Sequence, residues 1–522
     1  MLRSVMTVGA WTMVSRVLGF ARDMLIASRL GAGPVADAFF VALKLPNLFR
    51  RLFGEGAFNA AFVPAFAGTL ATQGRAQAQA LAERMGTLMA LWLGLLVVLG
   101  MVFMPQVMRV LAPGFAETPA KFALAVELTR ITFPYLLFIC LTALVGGVLN
   151  GLDRFAAAAA APVFFNLISM ATLLFLTPYV ATPGHALAWG VTASGVVQLG
   201  LVMWATAQAG MALNLLRPPP VPPEARLVLK RLVPGVIGAR VGQLNLAVDI
   251  IIASLLPSGA ISFLYYADRV AQLPLGVIGV AVGTALLPLL ARQLRAGQPL
   301  SAHRSMNRAV ELSLLLTVPA AVGLAVASGP IIAALFLRGA FGPAEAAASS
   351  AALIAYAFGL PAFVLVKVFA PGFFARGDTA TPVKVGLGAV ALNLGFNLVL
   401  MGPLQHVGVA LSTTLAAWAN AALLAWLLLR RRDYVIDRRA RRTVPRILAA
   451  AALMGVAVAA LALVLPAVGT AVAGALVAAV LIGAGAAVFL AAGMALRAFD
   501  PREVLRMLRR RSRAAGSPPA DA

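Results

Sequence analysis

The chain has 522 residues, of which 61% are hydrophobic and 11% charged, and it carries a formal net charge of +24. Soluble domains contain roughly 25% charged and 45–50% apolar residues, so this composition excludes an ordinary soluble domain and indicates a polytopic membrane protein. The single cysteine, Cys140, excludes an intrachain disulfide, and the histidines lack metal-ligand spacing. We expect an all-α protein, because apolar runs that cross a bilayer satisfy their backbone groups as helices.

About fourteen apolar runs are long enough to cross a membrane, and we number them as spans 1 to 14 in chain order. The first span contains Arg16 and Arg22 and lacks a small-residue cleavage site, so we expect it to be retained rather than removed as a signal peptide. The predicted limits are 5–30, 34–66, 82–109, 121–150, 156–178, 185–208, 229–256, 260–293, 305–328, 345–372, 380–402, 405–429, 444–466 and 469–497.

The basic residues of the connections predict an orientation. They concentrate after even-numbered spans, as in the cluster 430–442, and in the tail 502–513, whereas connections after odd-numbered spans hold little beyond Lys121 and Arg338. By the positive-inside rule, both termini are expected in the cytoplasm. The positive charge then reflects topology and attraction to anionic phospholipids, and nucleic-acid binding is the weaker interpretation.

An internal repeat becomes visible when the chain is shifted by about 225 residues. The segment "IASRLGAG" at Ile26 then meets "IASLLPSG" at Ile252, and Asp153 meets Asp378. Six spans separate the copies, so both keep the same orientation. The predicted organisation is an N-terminal lobe of six spans (1–216), a proline-rich cytoplasmic linker (217–228), a C-terminal lobe of six spans (229–432), two further spans (433–500) and a basic cytoplasmic tail (501–522).

Charged residues interrupt the apolar spans, most densely in "SRVLGFARD" at Ser15 and "DAFFVALKLPNLFRRLFGEGAF" at Asp37. A charge at the centre of a membrane helix costs roughly 2.5–3.5 kcal/mol and usually faces a bundle interior or a wet cavity. The spans hold nine cations against five anions. Buried ion pairs are the structural alternative for any single residue, but they cannot neutralise every cation. The surplus predicts a cavity that attracts an anion, and guanidinium groups suit a phosphate or pyrophosphate.

These two segments, with "LAPGF" at Leu111, "YYADR" at Tyr265 and "VKVFAPGFFARGDTATPVK" at Val366, resemble the MurJ/MviN family of bacterial lipid II flippases over nearly the whole chain. The resemblance implies the multidrug/oligosaccharidyl-lipid/polysaccharide exporter fold, with two six-helix lobes around a central cavity and two extra helices lining a hydrophobic groove. The substrate it implies is lipid II, undecaprenyl-pyrophosphate carrying the peptidoglycan disaccharide-pentapeptide, moved from the inner to the outer leaflet of the cytoplasmic membrane. The substrate-binding residues carried over from the family are Arg16, Arg22, Asp37, Asn47, Arg50, Glu55, Arg269 and Lys367.

Two other functions fit the sequence less well. A cation-coupled drug or polysaccharide-lipid exporter of the same fold would want carboxylates dominating its cavity, whereas cations are in excess here. A lipid-linked glycan polymerase would need a carboxylate base and usually a sizeable external loop, yet the predicted external connections are only a few to about ten residues long. We expect a transporter rather than an enzyme, with anionic phospholipids and the cell-wall synthesis machinery as candidate partners besides lipid II.

A candidate cation site is predicted in the C-terminal lobe. The oxygen-bearing side chains of Asp249, Asn393, Asn397 and Thr413 share one depth in the predicted orientation, and the Val409 carbonyl could complete the shell. No cofactor is expected, but Na⁺ or H⁺ bound here would couple transport to an ion gradient. The alternative is that the asparagines hydrogen-bond across helices as structural contacts.

Overall fold

The structure is a computed structural model that describes residues 2–53, 57–215, 240–466 and 468–499. Over these ranges the chain is all-α, as predicted, and the pair Arg338–Phe341 forms an isolated bridge rather than a strand. The α-helices in chain order are α1 Leu2–Leu30, α2 Pro34–Phe53, α3 Ala57–Gln73, α4 Arg75–Val102, α5 Met104–Leu111, α6 Pro119–Thr132, α7 Tyr135–Gly151, α8 Ala156–Phe175, α9 Pro183–Gln208, α10 Arg240–Ser254, α11 Ala260–Arg295, α12 Pro299–Val326, α13 Ser328–Phe336, α14 Pro343–Phe374, α15 Ala380–Arg430, α16 Arg438–Val464 and α17 Ala471–Ala495.

Nine stretches of the described chain are long and apolar enough to cross a membrane, as expected for a multi-pass membrane protein. The count of fourteen spans stays a prediction. Spans 3 and 4 each correspond to two consecutive helices, and spans 11 and 12 both lie in α15. Span 2 corresponds to α2 and α3, and residues 54–56 that connect them lie outside the described residues.

The break between α4 and α5 divides span 3, which the sequence analysis treated as one helix. Phe103 is the residue between the two helices, and Pro105 follows it in the first turn of α5. Proline has no N–H, so it cannot donate to the carbonyl four residues earlier, that of Met101. The Arg130 Nε of α6 donates to this carbonyl at 2.9 Å. The break is therefore satisfied by a side chain from a neighbouring helix.

Helix α15 contains a sharp kink close to the predicted boundary between spans 11 and 12. Gln405 has φ 49° and ψ −129°, and Pro403 precedes it. The two arms approach so closely that a Cβ on Gly408 would overlap the Leu400 carbonyl. Only glycine permits this approach, so the sequence specifies both the break and the tight packing after it.

Contacts divide the chain into two compact units, Met1–Tyr265 with Arg338–Glu345 and Tyr266–Leu337 with Ala346–Ala522. In the first unit, α8 packs against α1 and α9, and α2 packs against α6. Part of its core is formed by Phe62, Phe66 and Met85. The predicted lobes remain predictions, because the linker 217–228 lies outside the described residues.

In the second unit, α12 packs against α16, α13 packs against α17, and α16 packs against α17. One apolar cluster includes Met306 of α12, Phe369 of α14, Leu428 of α15 and Met454 of α16. Full burial of such side chains contributes about 1.5–3 kcal/mol each. The two helices predicted to stand outside the repeat are thus anchored within the second unit.

Helices α7 and α14 end in the same turn, which also ends α9, α11, α15 and α17. In each turn an N–H donates to the carbonyl five residues earlier, and the residue directly before the donor has a positive φ. For α7 and α14 the bonds are Arg154 to Leu149 at 2.8 Å after Asp153 (φ 58°), and Asp378 to Phe373 at 3.1 Å after Gly377 (φ 82°). The turns are 224 residues apart, close to the predicted offset.

A main-chain clasp joins the end of α1 to the segment 338–345 within the first unit. The Ala340 N–H donates to the Ser28 carbonyl at 2.8 Å. A Cβ on Gly339 would overlap that carbonyl, and a Cβ on Gly31 would overlap the carbonyl of Ala340. Both glycines also have positive φ, 58° and 64° respectively. Both positions therefore require glycine, because φ is positive there and because a Cβ would not fit.

Candidate functional site

Arg22 is a buried cation held from three directions. It lies two turns before the end of α1 and is only 7% exposed. Its Nε and Nη2 donate to Asp23 Oδ1 at 3.1 and 2.7 Å, and its Nη1 donates to Asn166 Oδ1 of α8 at 3.0 Å. The guanidinium also lies over the Phe165 ring, 5.2 Å from the centroid. The charge is thus fixed in position and largely balanced by a neighbouring carboxylate.

Asp23 links α1 to the beginning of α11. The Tyr265 hydroxyl donates to Asp23 Oδ1 at 3.1 Å, and the Tyr265 ring stacks on Phe40 of α2 at a centroid distance of 3.9 Å. Asn166, which accepts from Arg22, donates to the Ser15 carbonyl at 2.9 Å. Ser15, Arg22 and Asp23 of span 1 therefore sit in one connected network within the first unit.

Asp37 forms a second buried network near the start of α2 and is 1% exposed. Its Oδ2 accepts from Lys121 Nζ at 2.8 Å and from the Gly259 N–H at 2.7 Å. Its Oδ1 accepts from the N–H and the hydroxyl of Ser262 at 3.0 and 2.7 Å. Lys121 was expected in an external connection, but the structure places it within α6 and leaves it only 6% exposed. Asp37 thus makes four bonds within the protein in this conformation.

The other predicted residues of α2 cluster around its proline. Pro46 cannot donate to the Ala42 carbonyl, which instead accepts from the Thr132 hydroxyl at 3.0 Å. Asn47 Nδ2 donates to the Leu43 carbonyl at 2.9 Å. Asn47 Oδ1 accepts from the Nε of half-buried Arg50 at 3.2 Å. Asn47 and Arg50 are therefore brought together, and Glu55 lies outside the described residues.

The remaining predicted cations differ in exposure. Arg16 lies near the middle of α1 and its side chain is exposed. In the second unit, Arg269 of α11 is half-buried and Lys367 of α14 is exposed. Assignment of these residues to substrate binding stays a prediction.

The predicted cation ligands fall into both units. Asp249 Oδ2 of the first unit accepts from Asn245 Nδ2 at 3.4 Å. In the second unit, fully buried Asn397 donates from Nδ2 to Asn393 Oδ1 at 3.2 Å. The Thr413 hydroxyl donates to the Val409 carbonyl at 3.1 Å. The two asparagines are buried and hydrogen-bond to each other, and the ligand set as a whole stays a prediction.

A long apolar groove lies within the second unit. Its volume is about 630 Å³, and no charged residue lines it. The walls come from α11, α12, α13, α16 and α17, with Phe499 beyond α17. The residues that define its two sides are Leu273, Pro274, Leu315, Pro319, Met454, Val458, Leu481, Gly485 and Phe489. Such a surface suits a hydrocarbon chain.

A polar network secures the connection between α15 and α16. Buried Asn307 accepts from the Tyr434 hydroxyl at 2.9 Å, and Arg308 Nη2 lies 2.9 Å from Asp437 Oδ2. Burial raises the pKa of Tyr434, so its phenol remains a donor.

Hydrogen bonds from Thr381, assisted by Arg431, lower the pKa of Asp378. This carboxylate remains ionised at neutral pH, and its favourable contribution is lost only as pH falls through its lowered pKa.

Comparison with known proteins identifies the family of this chain. A family model described as "Lipid II flippase MurJ" matches residues 26–478. A protein named "Probable lipid II flippase MurJ" from Rhizobium meliloti is 44% identical over 88% of this chain and 86% of its own length. A protein of the same name from Haemophilus influenzae is 37% identical over 86% and 90%. The chain belongs to the lipid II flippase MurJ family.

Solved structures support the MurJ fold independently. A structure titled "Lipid II flippase MurJ, inward closed conformation" has a TM-score of 0.79 at 24% identity, over 94% of this chain and 98% of the other. An inward-facing multidrug resistance MATE family transporter of the MOP superfamily reaches a TM-score of 0.64 at 15% identity, over 82% and 98%. These likenesses concern the fold alone, and they confirm the exporter architecture predicted from the MurJ-like motifs.

Several residues of the networks, Asp23 and Ser262 among them, were not predicted as site residues. Lys121 neutralises Asp37 from α6, Asn166 holds Arg22 from α8, and Tyr265 bonds to Asp23. Tyr265 begins the MurJ-like "YYADR" segment, so it carried a signal. Lys121 carried none, because its pairing depends on how α6 packs against α2.

Proposed function

We propose that this protein flips lipid II from the inner to the outer leaflet of the bacterial inner membrane by alternating access. The observation that carries the proposal is the depth of Arg16 and Arg22, both well inside the apolar helix α1. Such a charge is costly unless it is paired, as Arg22 is with Asp23, or serves a polar cavity, and guanidinium groups bind phosphate oxygens in pairs. Family membership supports the same substrate, because the relatives are named for lipid II.

The polyprenyl tail of lipid II is assigned to the groove in the second unit. The tail is pure hydrocarbon, and the groove offers a continuous apolar surface without a charged residue in its lining. The tail is already surrounded by hydrocarbon in the bilayer, so the groove contributes packing contacts rather than a transfer energy out of water. The protein thereby acts as a transporter rather than as an enzyme.

We further propose that both termini are cytoplasmic, as the distribution of basic residues predicts. The exposed arginines of the segment 430–442 then face the inner leaflet, where anionic phospholipids attract them. The cell-wall synthesis machinery stays a candidate partner, because it supplies and consumes lipid II.

A transport assay tests the proposed function. Lipid II labelled on its headgroup is placed in liposomes with the purified full-length protein, and an impermeant quencher reports how much label lies in the outer leaflet. We expect the accessible fraction to change with time only when protein is present. Labelled phosphatidylglycerol is the matched substrate control. Equal movement of both lipids would indicate unselective scrambling and contradict the proposal.

Coupling to an ion gradient is proposed through Asn393, Asn397, Thr413 and the Val409 carbonyl of the second unit, and through Asp249 of the first unit as a separate carboxylate. Oxygen ligands of this kind suit Na⁺, and Asp249 could carry H⁺. We expect Asp249→Asn and Asn397→Ala to lose the stimulation that a sodium or proton gradient gives to lipid II transport. The measurement is the flipping rate with and without each gradient.

Asn420→Ala is the matched control for the coupling experiment, because it makes the same change elsewhere in α15. Its gradient stimulation should equal that of the unaltered protein. If Asp249→Asn and Asn397→Ala also respond normally to both gradients, the coupling proposal is wrong and the asparagines are structural.

A further inference from the structure

A polar cavity of about 360 Å³ lies within the first unit and is lined by the beginning of α1, the turn from α7 to α8 and the end of α9. Its polar side chains are those of Thr7, Asp153, Arg154 and Gln208. Trp204, one turn before Gln208, forms an apolar part of the wall and is 59% exposed. The volume lies in the range of about 300–1,000 Å³ that is typical of small-molecule sites, and two opposite charges line it.

The two charged residues of the cavity are neighbours in the chain. Asp153 has φ 58°, and the Arg154 N–H donates to the Leu149 carbonyl at 2.8 Å, so the turn itself determines where both side chains begin. Both side chains are exposed, and among the residues that the structure describes neither takes part in an ion pair or a side-chain hydrogen bond. The carboxylate and the guanidinium are therefore both open to a ligand.

The corresponding turn of the second unit satisfies its charge within the protein. There the residue whose N–H closes the turn is Asp378, in the position of Arg154. Its carboxylate accepts from the N–H and the hydroxyl of Thr381 and pairs with Arg431 at 2.7 Å. In the first unit the closing residue is a cation, Ala157 stands in the position of Thr381, and α8 begins without a side-chain cap. A cation beside a helix N-terminus is unfavourable unless an anion joins it.

A ligand that fits these groups carries an anion and a cation close together, next to an apolar part. Arginine suits a phosphate, and a carboxylate suits an ammonium group, which has three N–H donors. We propose that the cavity binds the phosphoethanolamine headgroup of a phospholipid, with the phosphate on Arg154 and the ammonium group on Asp153. The hydroxyl of Thr7 and the amide of Gln208 line the same space, and the acyl chains pass Trp204 into the bilayer.

The place of the cavity in the membrane supports a lipid as its ligand. Thr7, the turn and Gln208 lie near helix ends that the predicted orientation puts on the cytoplasmic side. Exposed tryptophan is typical of the membrane interface, where the headgroups lie. The site is separate from the exposed arginines of the segment 430–442, which belong to the second unit. A lipid bound here holds the beginning of α1, the turn and the end of α9 together.

Lipid binding to the purified full-length protein in detergent tests the site. The probes are radiolabelled phosphatidylethanolamine, phosphatidylcholine and phosphatidylglycerol with identical acyl chains. We expect phosphatidylethanolamine to bind about tenfold more tightly than the other two, because phosphatidylcholine has no N–H to donate and phosphatidylglycerol has no cation. Asp153→Asn should remove this preference while keeping the turn, since asparagine tolerates a positive φ. Arg154→Gln should weaken binding of all three lipids, since all three carry a phosphate.

Asp378→Asn is the matched control, because it makes the same change in the corresponding turn, where Thr381 and Arg431 already engage the carboxylate. It should bind phosphatidylethanolamine as the unaltered protein does. Equal binding of the three lipids to the unaltered protein would overturn the proposal, and so would unchanged phosphatidylethanolamine binding in both Asp153→Asn and Arg154→Gln. Soluble glycerophosphoethanolamine that competes as strongly as the lipid would indicate a site for the free headgroup and contradict the lipid assignment.

Thermal unfolding gives a second measurement, which does not depend on lipid II. A ligand that binds only the folded protein raises the thermal midpoint. We expect phosphatidylethanolamine to raise the midpoint of the unaltered protein and of Asp378→Asn, and to leave that of Asp153→Asn unchanged. A rise of equal size in Asp153→Asn would contradict the proposal. Failure of the unaltered protein to flip lipid II would reject the proposed function and leave these lipid-binding results as they are.

Discussion

Joint replacement of Arg22 and Asp23 by Gln and Asn is expected to reduce lipid II flipping by about 10- to 100-fold while the protein stays folded. The reduction corresponds to the loss of charge-assisted bonds from one guanidinium to phosphate, about 1.5–3 kcal/mol. The pair is replaced together because Arg22 and Asp23 neutralise each other in a buried position. Removal of Arg22 alone would leave the Asp23 carboxylate uncompensated and destabilise the protein by about 3–5 kcal/mol.

The measurement combines the flipping rate with the thermal midpoint of the same preparation. Arg29→Gln is the control, because Arg29 is exposed at the end of α1 and should tolerate the change. If the double variant unfolds at the normal temperature and transports lipid II at the normal rate, Arg22 is a structural residue only. A lost rate with a normal midpoint assigns it to the substrate.

The second large effect is expected at Asp37. Asp37→Asn and Lys121→Met should each lower the free energy of unfolding by about 3–5 kcal/mol, because each leaves its partner charged and buried. Lys121 also lies over the Phe115 ring, 4.3 Å from its centroid, and is only 6% exposed. The double variant should recover much of the loss, since neither charge then remains.

Thermal unfolding of the four proteins in detergent gives this double-mutant cycle. Glu127→Gln is the control on the same helix, because Glu127 is largely exposed and its contact with His185 should contribute less than about 1 kcal/mol. Additive losses in the double variant would show that Asp37 and Lys121 act independently and would contradict the ion-pair account.

Much of the fold could be predicted from the sequence, because the length of an apolar run and the positions of its charges depend only on residues close together in the chain. Helix α1 was predicted at 5–30 and extends over Leu2–Leu30, and the break between spans 11 and 12 lies within two residues of the kink at Gln405. These features depend on neighbours in the chain. The division of span 3 was missed although Pro105 was visible, because whether a proline breaks a helix depends on which group satisfies the released carbonyl.

The candidate site was predictable in its residue types and not in its pairings. The mid-helix arginines were noted in the sequence as part of the excess of cations over anions, and the charges of span 2, Asp37 among them, were expected to face a bundle interior or a wet cavity. The partners of Asp37 are 84, 222 and 225 residues away in the chain. Such distant contacts depend on helix packing, which a single sequence does not encode in any local pattern.

The clasp between Ser28 and Ala340 determines how this region would respond in a mutational scan. Its bond joins one main-chain N–H to one main-chain carbonyl, so exchanging the side chains of Ser28 or Ala340 leaves both bonding groups in place. An alanine scan would therefore score Ser28 as tolerant, and it makes no change at Ala340, which is already alanine. Intolerance would appear only at Gly31 and Gly339, where the added methyl group meets a carbonyl oxygen. A map of sensitive positions would show two isolated glycines, and the contact they protect would be invisible without the structure.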